Sequence, residues 1–284
     1  MGEENRGDYA SVNRLNLYYE VHGDGQPLIL LHGGLGAVEM FGEVLSLLAE
    51  GRRVIGVDLQ AHGRTADIDR PMTFEAMADD VAALISHLGL EEADVMGYSV
   101  GGSVALQTAI RHPEAVRKVV LVSAPFKRDG WYPEVLTGMA QMGSEAAEPM
   151  KETPMYLLYA GVAPRPENWP VLLTKLGDLL REDYDWSEQV EALQMPVMIV
   201  VGDADSVPPT HAVEFFGLLG RRQEGRGMVR LGEACVEAIR PAWYDALRYL
   251  PLPRAGVDRR AVPQCARRGG GMSRVHKEVT CPGQ

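Results

Sequence analysis

Cysteine is absent from the first 220 residues; all three cysteines (Cys235, Cys265, Cys281) lie beyond them. That body therefore has no disulfide framework, which fits a reducing, cytoplasmic setting. No apolar run approaches the roughly 20 residues needed to span a bilayer. The longest, residues 196–201, has the length of a buried strand. The start, Met1-Gly2-Glu3-Glu4-Asn5-Arg6, lacks the basic and apolar regions of a signal peptide and has Arg where a myristoylation site needs Ser or Thr. The ending Cys281-Pro282-Gly283-Gln284 lacks the aliphatic pair of a prenylation box. We thus expect no membrane partner. Residues 1–220 also lack positive charge, with 15 basic side chains against 33 acidic, a balance of −18. Phosphate binding needs a basic surface, so nucleic acid is not expected as a partner. No internal repeat is present.

The −11 net charge of the whole chain hides a break. Residues 221–284 carry 13 basic side chains (12 of them Arg) against 6 acidic, a balance of +7. The body before the break is long enough for one domain with a real core, and 46% apolar content is ordinary for a globular protein.

Residues 15–21 alternate and read as a strand with one exposed face, followed by a turn at Gly23-Asp24-Gly25. Strands are expected at 28–31, 53–57, 93–97, 116–122 and 196–201. Helices are expected at 38–50, 73–88, 101–112 and 210–219. Apolar strands alternating with helices predict an α/β architecture with a mostly parallel, doubly wound sheet. From about 126 to 190 the pattern changes to helical pieces with Trp131, Trp169, Trp186 and six prolines, and we read an insertion between two sheet strands.

Gly97-Tyr98-Ser99-Val100-Gly101 matches G-x-S-x-G and lies between an apolar strand and a helix, the context that this motif requires. A sharp strand-to-helix turn lifts the serine oxygen above the sheet, and the helix N-terminus behind it favours developing negative charge. Ser99 is the candidate nucleophile. A tetrahedral intermediate needs two N–H groups aimed at one oxygen. Val100 supplies one. The loop His32-Gly33-Gly34-Leu35-Gly36 offers the other, with Gly34 the first choice and Leu35 the second. A dinucleotide-binding loop fails here because Glu39 stands where the last glycine belongs. His32 precedes Ser99 and reads as a loop brace.

With the His32 loop, Asp58-Leu59-Gln60-Ala61-His62-Gly63-Arg64-Thr65, the Ser99 elbow and Val200-Val201-Gly202-Asp203-Ala204-Asp205 in this order, residues 12–220 resemble the α/β-hydrolase superfamily, particularly its small esterase, lactonase and haloperoxidase-like members. The resemblance implies a helical cap over about 126–190 and makes Asp205 the triad acid, with Asp203 its less favoured neighbour and His62 structural. Ala61 and Thr65 replace the usual Gly and Ser. A serine at 99 implies an acyl-enzyme formed from a small ester, lactone or related acyl substrate. No metal or organic cofactor is implied.

The family order then requires a histidine after Asp205. Only His211 and His276 follow it. His211 is six residues on, at a helix start, too close to swing back over Ser99. His276 is 71 residues on, where ordinary element lengths need roughly 25–40. The closing strand and helix are not legible either; residues 221–284 give scattered Arg, Gly, Pro and Ala. We read them as an abnormal, poorly ordered tail translated from a shifted frame of a G+C-rich gene, against the alternative of a native basic tail that binds an acidic partner. Three activities stay open: a serine hydrolase, an impaired hydrolase-fold protein lacking its base, and a peroxide-dependent haloperoxidase or perhydrolase. Translating the DNA past codon 220 in the other two frames tests the frame reading. We expect one frame to restore a strand followed by His, and failure of both removes the reading.

Overall fold

In the computed structural model, residues 7–221 are described, and all of them fall within one compact unit. The expectations for the segment beyond Arg221, including the closing strand and helix, lie outside the described residues.

The chain opens with β1 (Gly7–Val12) and β2 (Leu15–His22), an antiparallel hairpin. Its two connecting residues, Asn13 and Arg14, both take positive φ (45° and 67°), the backbone that matches the right-handed twist of the flanking strands. Then follow β3 (Gln26–Leu31), α1 (Glu43–Ala49), β4 (Arg52–Val57), α2 (Phe74–His87), β5 (Ala93–Tyr98), α3 (Val100–Arg111) and β6 (Val116–Val122). After α4 (Pro133–Ala140), α5 (Pro154–Val162), α6 (Trp169–Arg181) and α7 (Ser187–Ala192), the chain returns to the sheet as β7 (Val197–Val200) and ends the described region in α8 (Pro209–Arg221).

The seven strands stand in the order β1-β2-β4-β3-β5-β6-β7, antiparallel at β1–β2 and β2–β4 and parallel from β4 onward. This is the mostly parallel α/β-hydrolase sheet expected from the sequence. Leu28, Ile29, Leu30 and Leu31 are each 0% exposed, because helices cover both faces of the central strand. The period of two splits them: Ile29 and Leu31 pack with Val81, Leu84 and Val104 from α2 and α3, whereas Leu28 and Leu30 pack with Val44 and Leu48 from α1. Thr73 caps α2 by accepting the Ala76 N–H at 3.0 Å.

The expected exposed face of β2 is open at Asn16 but covered at Tyr18. Tyr18 is buried, its N–H donates to Thr65 Oγ1 (2.9 Å), and Arg64 lies 4.8 Å over its ring. Residues 58–65 supply part of that cover, a long-range contact invisible to local alternation, and the Tyr9 ring of β1 packs edge-on at 5.2 Å. At the other side β7 is the edge strand among the described residues, and all four of its side chains are only half-buried.

Order reverses between β3 and β5: the chain winds from β3 to β4 on one side and crosses to β5 on the other. Ligand sites in such sheets form at the carboxyl ends of the strands beside this switch point. Here α3 presses unusually close. A Cβ on Gly101 would stand 2.4 Å from the carbonyl oxygens of both Leu31 and His32, and one on Gly97 would stand 2.0 Å from the Gly101 carbonyl. We expect Gly101→Ala to cost more than about 4 kcal/mol, since backbone cannot yield as a side chain does. Gly138 lies in α4, and a Cβ there would meet nothing within 4 Å, so Gly138→Ala should stabilise by about 0.5–1 kcal/mol. Urea melts of both variants against the parent check the pair.

Candidate functional site

Ser99 terminates β5 and caps α3 with φ 53° and ψ −118°. A non-glycine residue at positive φ is uncommon, and it is held here by backbone bonds on both sides: Ser99 N–H donates to Val122 O (2.9 Å), and Ser103 N–H donates to Ser99 O (3.0 Å). The residue is half-buried. Val100 is the first residue of α3, where helix geometry leaves the amide without an intrahelical acceptor.

The loop after β3 reaches the same point. A Cβ on Gly33 would lie 3.4 Å from Ser99 Cβ, and one on Gly34 would lie 3.3 Å from a Val100 methyl. Gly34, Val100 and Ser99 are therefore brought together at the strand tips. Leu35, the second choice, is buried and has φ 60°. From above, α6 of the insertion lays Leu176 against Gly34, 3.2 Å from that Cβ position. Trp169, Leu172, Leu173 and Leu179 of the same helix are buried.

Asp205 lies two strand tips from Ser99, in the loop after β7. Its Oδ1 accepts the Ser206 and Val207 N–H groups (2.6 and 3.1 Å), and its Oδ2 accepts the Gly202 N–H (2.9 Å) and the Ser123 hydroxyl (2.7 Å). Burial, and then the Asp205 charge, push the Tyr98 phenol up, so the carboxylate is electrostatically close to the residue that precedes Ser99. Asp203 is exposed. Sequence reasoning missed Ser123; only its place at the tip of β6, between the two other strand ends, could have suggested it.

No histidine of the described residues is poised over Ser99. His32 is fully buried, accepts the Leu59 N–H at Nε2 (3.0 Å), and so donates from Nδ1 to Gly33 O (2.8 Å). It joins two loops. His62 donates from Nδ1 to Gln60 O (2.8 Å) and keeps a buried Nε2 with no partner. His211 accepts the Phe126 N–H at Nε2 (3.3 Å) and stacks on that ring at 4.4 Å; desolvation lowers its pKa. His22 pairs with Glu20 and His112 with Asp79. His87 is exposed in the last turn of α2, at the amino ends of the parallel strands. His276 lies outside the described residues. Among the described residues no group of three or more His, Cys, Asp or Glu side chains is placed to hold a metal ion, and no helix is long and apolar enough to cross a membrane.

A family model described as alpha/beta hydrolase fold matches residues 26–159. The chain is 32% identical over 225 residues to the pimeloyl-[acyl-carrier protein] methyl ester esterase of Neisseria meningitidis serogroup B, covering 72% of this chain and 83% of that protein. A match to the putative carbamate hydrolase RutD of Azorhizobium caulinodans, 32% identical over 123 residues, covers 43% of this chain and 46% of that protein, less than half of the relative's length. Among solved structures, the carboxylesterase CesB of Bacillus subtilis superposes with a TM-score of 0.62 at 20% identity, covering 90% of this chain and 93% of that one. This last likeness speaks to the fold alone.

The buried groups around the loop set an acid limit on the fold. Desolvation, with the neighbouring His62 second, pushes His32 down to about 3, and desolvation pushes His62 down to about 4. Burial pushes Asp58 up to about 6, although Val38 and Arg64 donate backbone N–H groups to it. Between about pH 4 and 6 the unfolded chain holds two imidazole protons that the folded chain lacks, and the folded chain holds one carboxyl proton that the unfolded chain lacks. For these three groups the net of one proton contributes a loss of about 1.4 kcal/mol of stability for each pH unit of acidification below about 6.5, and the lowered pKa of His211 acts in the same direction. His62→Asn keeps a donor for Gln60 O and should reduce the acid slope of the whole protein by about one proton, that is by about 1.4 kcal/mol per pH unit. Urea melts at several pH values, compared between parent and variant, check both statements.

Proposed function

The chain belongs to the alpha/beta hydrolase fold family, and from that premise we propose that it is a serine hydrolase acting on a small ester, lactone or related acyl substrate. The observation that carries the reading is Ser99: a half-exposed serine at positive φ on the strand-to-helix turn beside the topological switch point. In this reading the Ser99 hydroxyl attacks the substrate carbonyl. The carbonyl oxygen becomes an oxyanion held by the Gly34 and Val100 amides, whose donors need no reorganisation as charge develops. Collapse of the intermediate expels the alcohol and leaves an acyl group on Ser99, which water then removes. Asp205 orients the base that takes the serine proton. Residues 126–190 act as the cap, with Leu176 giving the site an apolar wall next to Gly34. The methyl ester esterase relative supports a carboxylic ester as the substrate class.

A second reading has its own observation. The histidines that could be the base within the described residues are bonded elsewhere or face the opposite end of the sheet. A hydrolase-fold protein without its base would bind acyl compounds and turn them over poorly, since losing one triad member costs on the order of 10⁴–10⁶ in rate. Both readings meet in one experiment with the full chain, a chromogenic short-chain ester and Ser99→Ala. Turnover that Ser99→Ala abolishes supports the hydrolase, with an acyl adduct on Ser99 visible by mass spectrometry. Turnover unchanged by Ser99→Ala removes Ser99 from the chemistry, and an acylated but non-turning chain supports the second reading.

A further inference from the structure

The Asp205 carboxylate is saturated. An ionised carboxyl group offers about four lone-pair sites, and four donors occupy them: Ser206 N–H and Val207 N–H on Oδ1, Gly202 N–H and the Ser123 hydroxyl on Oδ2. Three of these are backbone amides of the loop that carries Asp205, and they move only if the loop does. The fourth is a hydroxyl, which leaves by rotation about a single side-chain bond.

Ser123 is built into place. It is 4% exposed at the tip of β6, its N–H donates to Val200 O (2.9 Å), and its φ is 51°. A non-glycine residue keeps such a backbone only where its surroundings over-determine it. Glycine would rest there without strain and would lack the hydroxyl. What serine adds at this position is the bond to Asp205.

Resting on the reading of Asp205 as the acid that orients a base, we infer that Ser123 is its positioning residue and that the Ser123 hydroxyl occupies the lone pair which the base must take. A base N–H docks on Oδ2 as the hydroxyl turns away. Until then Ser123 holds the carboxylate aimed and keeps its charge compensated. The two donors compete for one site, so the affinity of Asp205 for an imidazole is set in part by Ser123.

The test uses the full chain labelled with ¹³C at aspartate side-chain carboxyls, with the Asp205 resonance assigned by its loss in Asp205→Asn. Imidazole alone is titrated near neutral pH, and its dissociation constant is read from the Asp205 shift in the parent, in Ser123→Ala and in Ser123→Gly. Removing the competing donor should tighten imidazole binding by about tenfold or more in both variants, the worth of one hydrogen bond to a charged group. Ser123→Gly removes the positive-φ cost and carries the test if the alanine variant folds poorly. Binding no tighter than in the parent, or no response of Asp205 to imidazole in any variant, overturns the inference. None of these readouts involves Ser99. A failed ester assay therefore counts against the hydrolase reading, and a failed imidazole titration counts against the role of Ser123.

Discussion

The backbone of α3 approaches the carboxyl end of β3 so closely that residue 101 has no room for a side chain: two carbonyl oxygens stand 2.4 Å from where one would begin. The arrangement of the strand tips depends on that approach. It forces the chain to leave β5 through a tight turn, which puts Ser99 at positive φ and starts α3 one residue later. It also brings the His32–Gly36 loop alongside the turn, so that Gly33 and Gly34 lie within van der Waals reach of Ser99 and Val100. The loop is in turn fixed from below by His32, whose two ring nitrogens join Gly33 O to the Leu59 N–H. A helix held farther away would leave the serine as an ordinary residue of a relaxed loop.

The order of elements was legible because buried parallel strands write themselves as unbroken apolar runs. Residues 28–31 and 116–122 stand where the runs place them, and the turn at Ser99 was readable because its glycines mark the close approach directly. β1 was not legible. Gly7-Asp8-Tyr9-Ala10-Ser11-Val12 has no alternation of its own, and its hairpin turn uses Asn13-Arg14 where the usual signal ends in glycine. The burial of Tyr18 was missed for a different reason: part of its cover comes from Arg64 and Thr65, more than forty positions away, and part from Tyr9 of the unread β1. Local pattern reports the face a strand presents, and not what later lies on it.

The histidines show how little residue type says about role. His32, His62 and His211 are all buried, and each is committed to the backbone. An imidazole that accepts one amide and donates to one carbonyl serves as a crosspiece between loops, and desolvation makes protonation there costly. A ring whose lone pair already accepts an amide, as in His32 and His211, cannot also shuttle a serine proton. Chain order excludes His32 and the six-residue spacing after Asp205 excludes His211, and the hydrogen bonds supply a physical basis that position in the chain lacks.

The two serines at neighbouring strand tips make the same point from the other side. Ser99 and Ser123 have φ values of 53° and 51°, and each donates its N–H to the last carbonyl of the next strand over. Their backbones share this φ and this hydrogen bond. What distinguishes them is environment: Ser99 keeps a half-open position under the insertion, whereas Ser123 is 4% exposed with its proton fixed on Asp205. A hydroxyl that donates to a carboxylate has its proton engaged, and one without such a partner can have its proton taken by a base. The sheet thus places two serines at positive φ on neighbouring strand tips, and in the proposed reading burial and the partner of the hydroxyl separate the nucleophile from the residue that serves Asp205.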